Sequence, residues 1–314
     1  MTDIAKLTLG DKGILRYRGI PIEDLAQNST FVEVAYLLIW GRLPTATELT
    51  EFGQLMTEHS FLREQLRHHF EAFPPGSPPM AVLSAVLNSM ACFYPELLES
   101  EDVDVFQEAA ARILSKVRTI AAYSYKHDLG HYLVYPHPEK GFCENFLHTM
   151  FSEPYKDFDP DPVLVRALDV LLLLHADHEQ NCSTSTVRMV GSSGANLFAS
   201  VSAGVSALWG PLHGGANVAV VEMLEMILRE GISMKDYVRQ VKDKKAGIRL
   251  MGFGHRVYKN FDPRATILCW RSPRSWKGWH WKTTTSRSAA CTPTSTSTPG
   301  SSCVPSASPQ GCLR

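Results

Sequence analysis

Apolar residues recur at helical spacing through most of the chain, and capping signals mark where the periods begin. Thr30 with Glu33 spells a capping box; Val32, Ala35, Tyr36 and Ile39 follow at i, i+3, i+4 and i+7, and Gly41 supplies the stop. Thr45 with Glu48 opens a second helix whose inner face is Leu49, Phe52, Leu55 and Met56. After the loop "FPPGSPP" come "AVLSAVLNSMACF" and "VFQEAAARILSKVRTIAAYSY"; the latter carries Phe106, Ala110, Ile113, Leu114, Val117 and Ala121 on one stripe. "DPVLVRALDVLLLL" is apolar nearly all round, which predicts a helix in the centre of the core. "NLFASVSAGVSALWG" is rich in small residues and suits close helix packing. "ANVAVVEMLEMILREG" is amphipathic and ends at Gly231, and "SMKDYVRQVKD" reads as a short surface helix. The one early strand signal is "LTLGDKGILRY", a hairpin about Gly10 to Gly13, and strand signals are nearly absent after residue 17. The fold class predicted is all-α with a small N-terminal β-hairpin.

The pattern fails near residue 265. Residues 265–314 carry six Lys or Arg and no Asp or Glu, four of the six tryptophans fall between Trp270 and Trp281, and "TPTSTSTPGSSCVPSASP" has neither period. Read as a native element, that stretch is disordered low-complexity sequence. The overall charge of -1 therefore hides a mildly acidic body, which has no basic stripe for nucleic acid. Cys92, Cys143 and Cys182 lack metal-ligand spacing and read as reduced, mostly buried thiols. The start "MTDIAKLTLGDKG" has charges where a secretory signal is apolar, and "ALDVLLLLHA" contains Asp169 and is too short for a bilayer. These features predict a cytoplasmic protein with no membrane partner.

Three histidine-centred clusters carry candidate chemistry: "LLHADHEQN", "GPLHGGAN" and "GFGHRVYKNFDPR". In the first, His175, Asp177, His178 and Glu179 are all capable ligands. No further His or Cys completes a tetrahedral set, so no metal site is expected. In the second, Gly210, Gly214 and Gly215 suit a bend where backbone and substrate approach closely, although a glycine-rich helix junction with an incidental histidine explains the octet alone equally well. In the third, Arg264 has Asp262 two residues before it, and a surface ion pair between them is the bland alternative to ligand binding. "GSSGAN" lacks the Lys-Ser or Lys-Thr of a phosphate loop and reads as small residues at a helix start.

Taken in order, the three clusters, with "GDKGILRYRGIPIEDLA" and "STSTVRMVGSSGANLFASVSAGVSALWGP", resemble citrate synthases of the bacterial type over residues 8 to 265. The resemblance implies a two-domain helical fold: a partial large domain at 1–213, the start of a small domain at 214–264, and an aberrant tail at 265–314 with the C-terminal part missing or disordered. It implies condensation of oxaloacetate with acetyl-CoA and water to citrate and CoA, a step of the tricarboxylic acid cycle, with acetyl-CoA as substrate and no cofactor. By resemblance, His213 donates to the enol oxygen of acetyl-CoA and His255 polarises the oxaloacetate carbonyl. His178 and Arg264 bind oxaloacetate, and Arg256 and Lys259 face the coenzyme A phosphates. Arginine suits a dicarboxylate because its forked donors match carboxylate geometry. A homodimer, or dimers assembled into a hexamer, is the expected assembly. A 2-methylcitrate synthase using propionyl-CoA, and a non-catalytic fragment that dimerises or binds ligand, are the alternatives.

The family's general base is an aspartate in a downstream motif of the form Asn-Val-Asp-Phe-Tyr-Ser-Gly, which this chain lacks, along with two further clamp arginines, one of which comes from the partner subunit. Written in GC-rich codons, Tyr-Pro-Asn-Val-Asp-Phe-Tyr-Ser-Gly is TAC CCC AAC GTC GAC TTC TAC TCC GGG. Read from its second nucleotide it gives Thr-Pro-Thr-Ser-Thr-Ser-Thr-Pro and then Gly, which is Thr292 to Gly300. The tail is therefore expected to be the family's C-terminal region in a shifted frame. The codon of the lost aspartate then straddles Ser295 and Thr296, catalysis is impaired, and apolar faces between residues 214 and 250 lie exposed.

Overall fold

The computed structural model describes residues 13–98, 102–178, 180–243, 247–252, 262–264 and 267, and the backbone of three further short strands at 5–6, 279–283 and 289–293. The chain divides into two compact units, Ser29–Gly210 and the combination of Met1–Asn28 with Pro211–Arg314. Among the described residues the architecture is all-α with minor strands.

In the first unit, α2 (Phe31–Trp40) and α3 (Ala46–Glu58) begin at the two capping boxes the sequence spells. Thr30 N–H donates to Glu33 Oε2 at 2.6 Å while Glu33 N–H donates to Thr30 Oγ1 at 3.3 Å, which satisfies two orphan amides reciprocally. Gly41 ends α2 with φ 84°, in the left-handed region where glycine has no Cβ penalty. α4 (Glu64–Glu71) and α5 (Pro79–Ser89) follow, then two 3₁₀ turns at Met90–Cys92 and Pro95–Leu97. The 26-residue α6 (Val103–Asp128) runs through the middle, against α3, α4, α5, α7 (Phe142–Phe151) and α10 (Leu197–Trp209). Leu66, Phe70, Val86, Ile120, Tyr123 and Phe198 build the main core around it.

The face that α6 buries differs from the predicted stripe. Phe106 is exposed, whereas Ser115, Lys116, Arg118, Thr119 and Lys126 are buried. These polar groups reach carbonyls in the last turn of α3, just beyond it, and at the two ends of α7; those at the C-terminal ends have no intrahelical partner. Lys116 Nζ donates to His59 O at 2.9 Å and also to Phe61 O, and Thr119 Oγ1 donates to Ser60 O at 2.7 Å. Arg118 bridges Met56 O at 3.1 Å and Phe142 O at 2.8 Å; Ser115 also donates to Met56 O, and Lys126 to Ser152 O. Lys116 further shares the face of Tyr94 with Arg63 and Arg112, at 5.4, 5.1 and 4.9 Å from the ring centre.

α8 (Pro162–His175) is not buried all round: Val170, Leu173 and Leu174 are buried, but Val163 and Leu164 in its first turn are exposed. Its main neighbours are α2 and α7, so one side of the helix is covered. The buried Asp169 on this helix accepts from Phe31 N–H at 2.9 Å, adding a carboxylate to the positive end of α2. Of the three body cysteines only Cys143 is buried, its thiol 3.8 Å from Asp169 and pushed up to about 12 by desolvation; Cys92 and Cys182 are exposed, contrary to the expectation. α9 (Cys182–Gly191) packs on α10 as the small residues predict. A Cβ on Gly204 would stand 2.5 Å from Val187 Cγ2, and Ser183 Oγ donates to Gly204 O at 2.9 Å.

The second unit opens with an antiparallel sheet in the order β1 (Ala5–Lys6), β2 (Arg16–Tyr17), β3 (Ile20–Pro21), followed by α1 (Ile22–Asn28). β1 and β2 pair as a hairpin, with β1 just before the predicted segment and residues 7–12 outside the described residues; the third strand, after a turn at Arg18 and Gly19, is additional to it. After Pro211 the unit contains α11 (Gly215–Arg229) and α12 (Met234–Lys242), which bury Val220, Met223, Ile227 and Tyr237 together. Val218, Val221, Leu224 and Leu228, on other sides of α11, are exposed. A hairpin of β4 (Trp279–Thr283) and β5 (Ala289–Pro293) lies in the stretch that showed no period. Trp279 and Trp281 alternate with His280 and Lys282 along β4, a short strand period that the sequence reading passed over.

Lys116 titrates in a readable direction. Burial, and then the charges of Arg112 and Arg63, push it down to about 7. In the unfolded chain it returns to the ordinary lysine range, so above about pH 7 the unfolded state binds the extra proton and stability rises with pH. Urea midpoints should climb from about pH 7 to roughly pH 10, and Lys116→Met should remove that part of the slope.

Candidate functional site

The predicted residues of the first cluster lie between two capped helices. α8 starts with Asp161 accepting from Val163 N–H at 2.8 Å and Pro162 in its first turn, and it ends at His175, whose Nδ1 is 2.7 Å from Leu171 O. α9 starts with Asn181, whose Oδ1 accepts from Thr184 N–H at 2.9 Å. His178 is half-buried in the short link between them, fixed by a helix end on either side. Glu179 falls outside the described residues. Among the described residues no group of three His, Cys, Asp or Glu could hold a metal ion.

His213 occupies the turn that precedes α11, half-buried, at the positive end of that helix's dipole. The backbone of two of the glycines around it is ordinary. Gly210 is extended (φ -61°, ψ 135°) and Gly214 is right-handed (φ -90°, ψ -5°), so neither requires a left-handed conformation. Gly210 is instead tight: a Cβ there would lie 3.2 Å from Ala207 O. The octet also crosses the division between the compact units, at Gly210 and Pro211.

Arg264 departs most from its bland alternative. It does pair with Asp262, but not on the surface: the two side chains are 5% and 2% exposed. Arg264 Nε donates to Asp262 Oδ1 at 3.0 Å and Nη2 to Oδ2 at 2.9 Å, while the Arg264 backbone N–H also donates to Oδ1 at 3.0 Å. The signal for Asp262 is its place directly before a proline that opens a helical segment, where an aspartate carboxylate accepts the N–H of the residue two further on, here Arg264. His255, Arg256 and Lys259 lie outside the described residues.

An open groove between α9 and α10 is lined by Ser183, Thr184, Val187, Val201, Val205 and Leu208, with Gly204 and Arg188 beside them. None of the sequence-predicted site residues lines it. It is apolar, shallow and unsuited to a dicarboxylate.

Comparisons with known proteins agree with the ordered motifs. The family model "Citrate synthase, C-terminal domain" matches residues 1–272. "Citrate synthase 1" from two strains of Mycobacterium tuberculosis is 53% identical over 259 residues, 82% of this chain and 60% of that protein. The chain thus spans about 60% of the length of these curated relatives. The crystal structure of citrate synthase from Pyrobaculum aerophilum superposes with a TM-score of 0.78 at 36% identity, covering 86% of this chain and 67% of the other. That of the Thermoplasma acidophilum enzyme, in a ternary complex with carboxymethyl coenzyme A and oxaloacetate, gives 0.76 at 28%, covering 85% and 68%.

The link that carries His178 depends on the α9 cap. Asn181→Ala should lower unfolding stability by about 1 kcal/mol, measured by urea denaturation, through the loss of one satisfied helix-start amide.

Proposed function

The chain belongs to the citrate synthase family, and on that premise we propose that it keeps part of the family's machinery for holding oxaloacetate, without the two further clamp arginines, so that it binds the diacid more weakly and turns over slowly or not at all. The observation that carries this reading is the 53% identity over 259 residues to a curated citrate synthase, a stretch long enough to hold all three histidine clusters. In the condensation, the acetyl-CoA methyl loses a proton, the enol carbon attacks the oxaloacetate carbonyl, and water then cleaves the citryl thioester to citrate and CoA. His213 is the donor to the enol oxygen, His255 the donor to the carbonyl, His178 and Arg264 hold the diacid, and Arg256 and Lys259 serve the coenzyme. Preorganised donors of this kind stabilise charge where it develops. What is lacking is the acceptor for the methyl proton. General base catalysis contributes about 10²–10⁴-fold, and no carboxylate occurs in residues 265–314 to supply it.

A frame change accounts for that loss, and part of the support needs no choice of codons. Trp has the single codon TGG and Lys codons begin AA, so the triplet straddling Trp276–Lys277, and again Trp281–Lys282, must be GAA, glutamate. Across Trp279–His280 the triplet is GCA, alanine; across His280–Trp281 it is CTG or TTG, leucine. A tail without acids in one frame thus carries acids and ordinary helix formers in the other. Sequencing the encoding DNA around codon 266 should show that restoring one nucleotide opens an Asn-Val-Asp-Phe-Tyr-Ser-Gly frame; an uninterrupted alternative without that motif rejects the frame change.

We further read the assembly as a homodimer, and the protein as cytoplasmic. Exposed Met189, Leu208 and Trp209 on α9 and α10 support an apolar face between copies. Calorimetric titration with oxaloacetate should show binding by the chain, whereas a thiol-reagent assay with oxaloacetate and acetyl-CoA should show CoA release at least about 100-fold below that of a frame-restored protein. Equal rates would sink the claim of impairment, and absence of oxaloacetate binding the claim of a retained site.

A further inference from the structure

We propose that Gly204, on α10, is a positioning residue for oxaloacetate binding: the close approach it allows sets where α9 begins, and through the short link before α9 it sets where His178 stands. This rests on the reading of His178 as an oxaloacetate ligand.

The contact is tight at one point. Gly204 is buried against Ser183 and Val187, which stand one turn apart on α9. Ser183 Oγ donates to Gly204 O at 2.9 Å, and a Cβ on residue 204 would meet Val187 Cγ2 at 2.5 Å and Ser183 O at 3.4 Å. Valine has one strongly preferred rotamer in a helix, so Val187 cannot swing its methyl aside. Carbon atoms in ordinary contact are about 3.5–4.0 Å apart, so an added methyl would push the two helices apart by roughly 1 Å.

α9 is the helix that gives way. None of its residues is buried, and its main neighbour is α10. α10 is fixed on its other sides: Phe198 is fully buried in the main core, and Ser202 Oγ donates to Ser84 O on α5 at 2.8 Å. The displacement passes along the chain. Asn181 Oδ1 holds Thr184 N–H at 2.9 Å, so the cap moves with the first turn of α9, and His178 lies just before that cap. On the far side of the link, α8 stays in place through buried Val170, Leu173 and Leu174. A side chain that holds a ligand has to stand within about 0.5 Å of its working position, and the retreat at the start of α9 is large against that tolerance.

The test compares the chain with Gly204→Ala, and with Gly204→Ala combined with Val187→Ala, by oxaloacetate calorimetry at a temperature where far-UV circular dichroism shows each protein fully folded. Gly204→Ala should bind oxaloacetate about tenfold more weakly, the loss expected from one misdirected hydrogen bond to a charged ligand. The second substitution removes the methyl in the way and should recover most of that affinity. A merely structural contact would lower the urea midpoint and leave the affinity of the folded protein alone. A folded Gly204→Ala with parental affinity therefore overturns the proposal, as does a double variant that binds no tighter than Gly204→Ala. If Gly204→Ala does not fold, Ser183→Ala takes its place: it removes the donor to Gly204 O without adding atoms. It should weaken oxaloacetate at least about threefold, and unchanged affinity overturns the proposal. If the parent chain itself does not bind oxaloacetate, the functional reading has failed separately. The placement of His178 is then read without ligand from its imidazole Hε1 resonance, assigned with His178→Gln. That resonance should be displaced in Gly204→Ala, or in Ser183→Ala where only that variant folds; an unmoved resonance overturns the proposal.

Discussion

Carbonyl groups at the end of one helix must find donors, and at the ends of α3 and α7 side chains of α6 supply them. Lys116, Arg118 and Thr119 bind the last turn of α3 and the three residues after it, and Lys126 binds the residue that closes α7. Burying cations in this way is expensive unless every donor is used. The unit accordingly behaves as a set of interlocked helix ends around a central rod, with α2 held separately through Asp169. The same desolvation pushes His59 down to about 4, so that ring stays neutral beside Arg112 and Lys116 near neutral pH.

Local chemistry was the legible part of the sequence. Both capping boxes and the glycine stop at Gly41 follow from contacts within a few residues, and the small residues of α10 gave its close packing, at Gly204 against α9. The buried face of α6 was not legible because Lys116, Arg118 and Lys126 look like a solvated side until the carbonyls they reach are known. α8 misled in the opposite direction: an apolar residue such as Val163 states no location, since a helix can be hydrophobic where no neighbour covers it. Cys92 and Cys182 show the same weakness, for thiols tolerate either environment.

The candidate site divides along similar lines. Its histidines and arginine were found as residue types in an ordered set of motifs, which the family match to residues 1–272 bears out at the level of the family. The structure adds where the described ones lie: His178 in the link between the end of α8 and the capped start of α9, His213 in the turn ahead of α11, and Arg264 paired with a buried carboxylate two residues away. The bland alternative for Arg264, an ion pair with Asp262 on the surface, is right about the partner and wrong about its depth, because sequence distance gives proximity but not burial.

α11 carries one more lesson. Its buried side, Val220, Met223 and Ile227, completes a small core, while Val218, Val221, Leu224 and Leu228 face water. To chaperones and proteases such a helix presents the chemistry by which they recognise unfolded chains. Its influence in a cell therefore falls on how many copies survive, and for how long, before any question of what each copy can do.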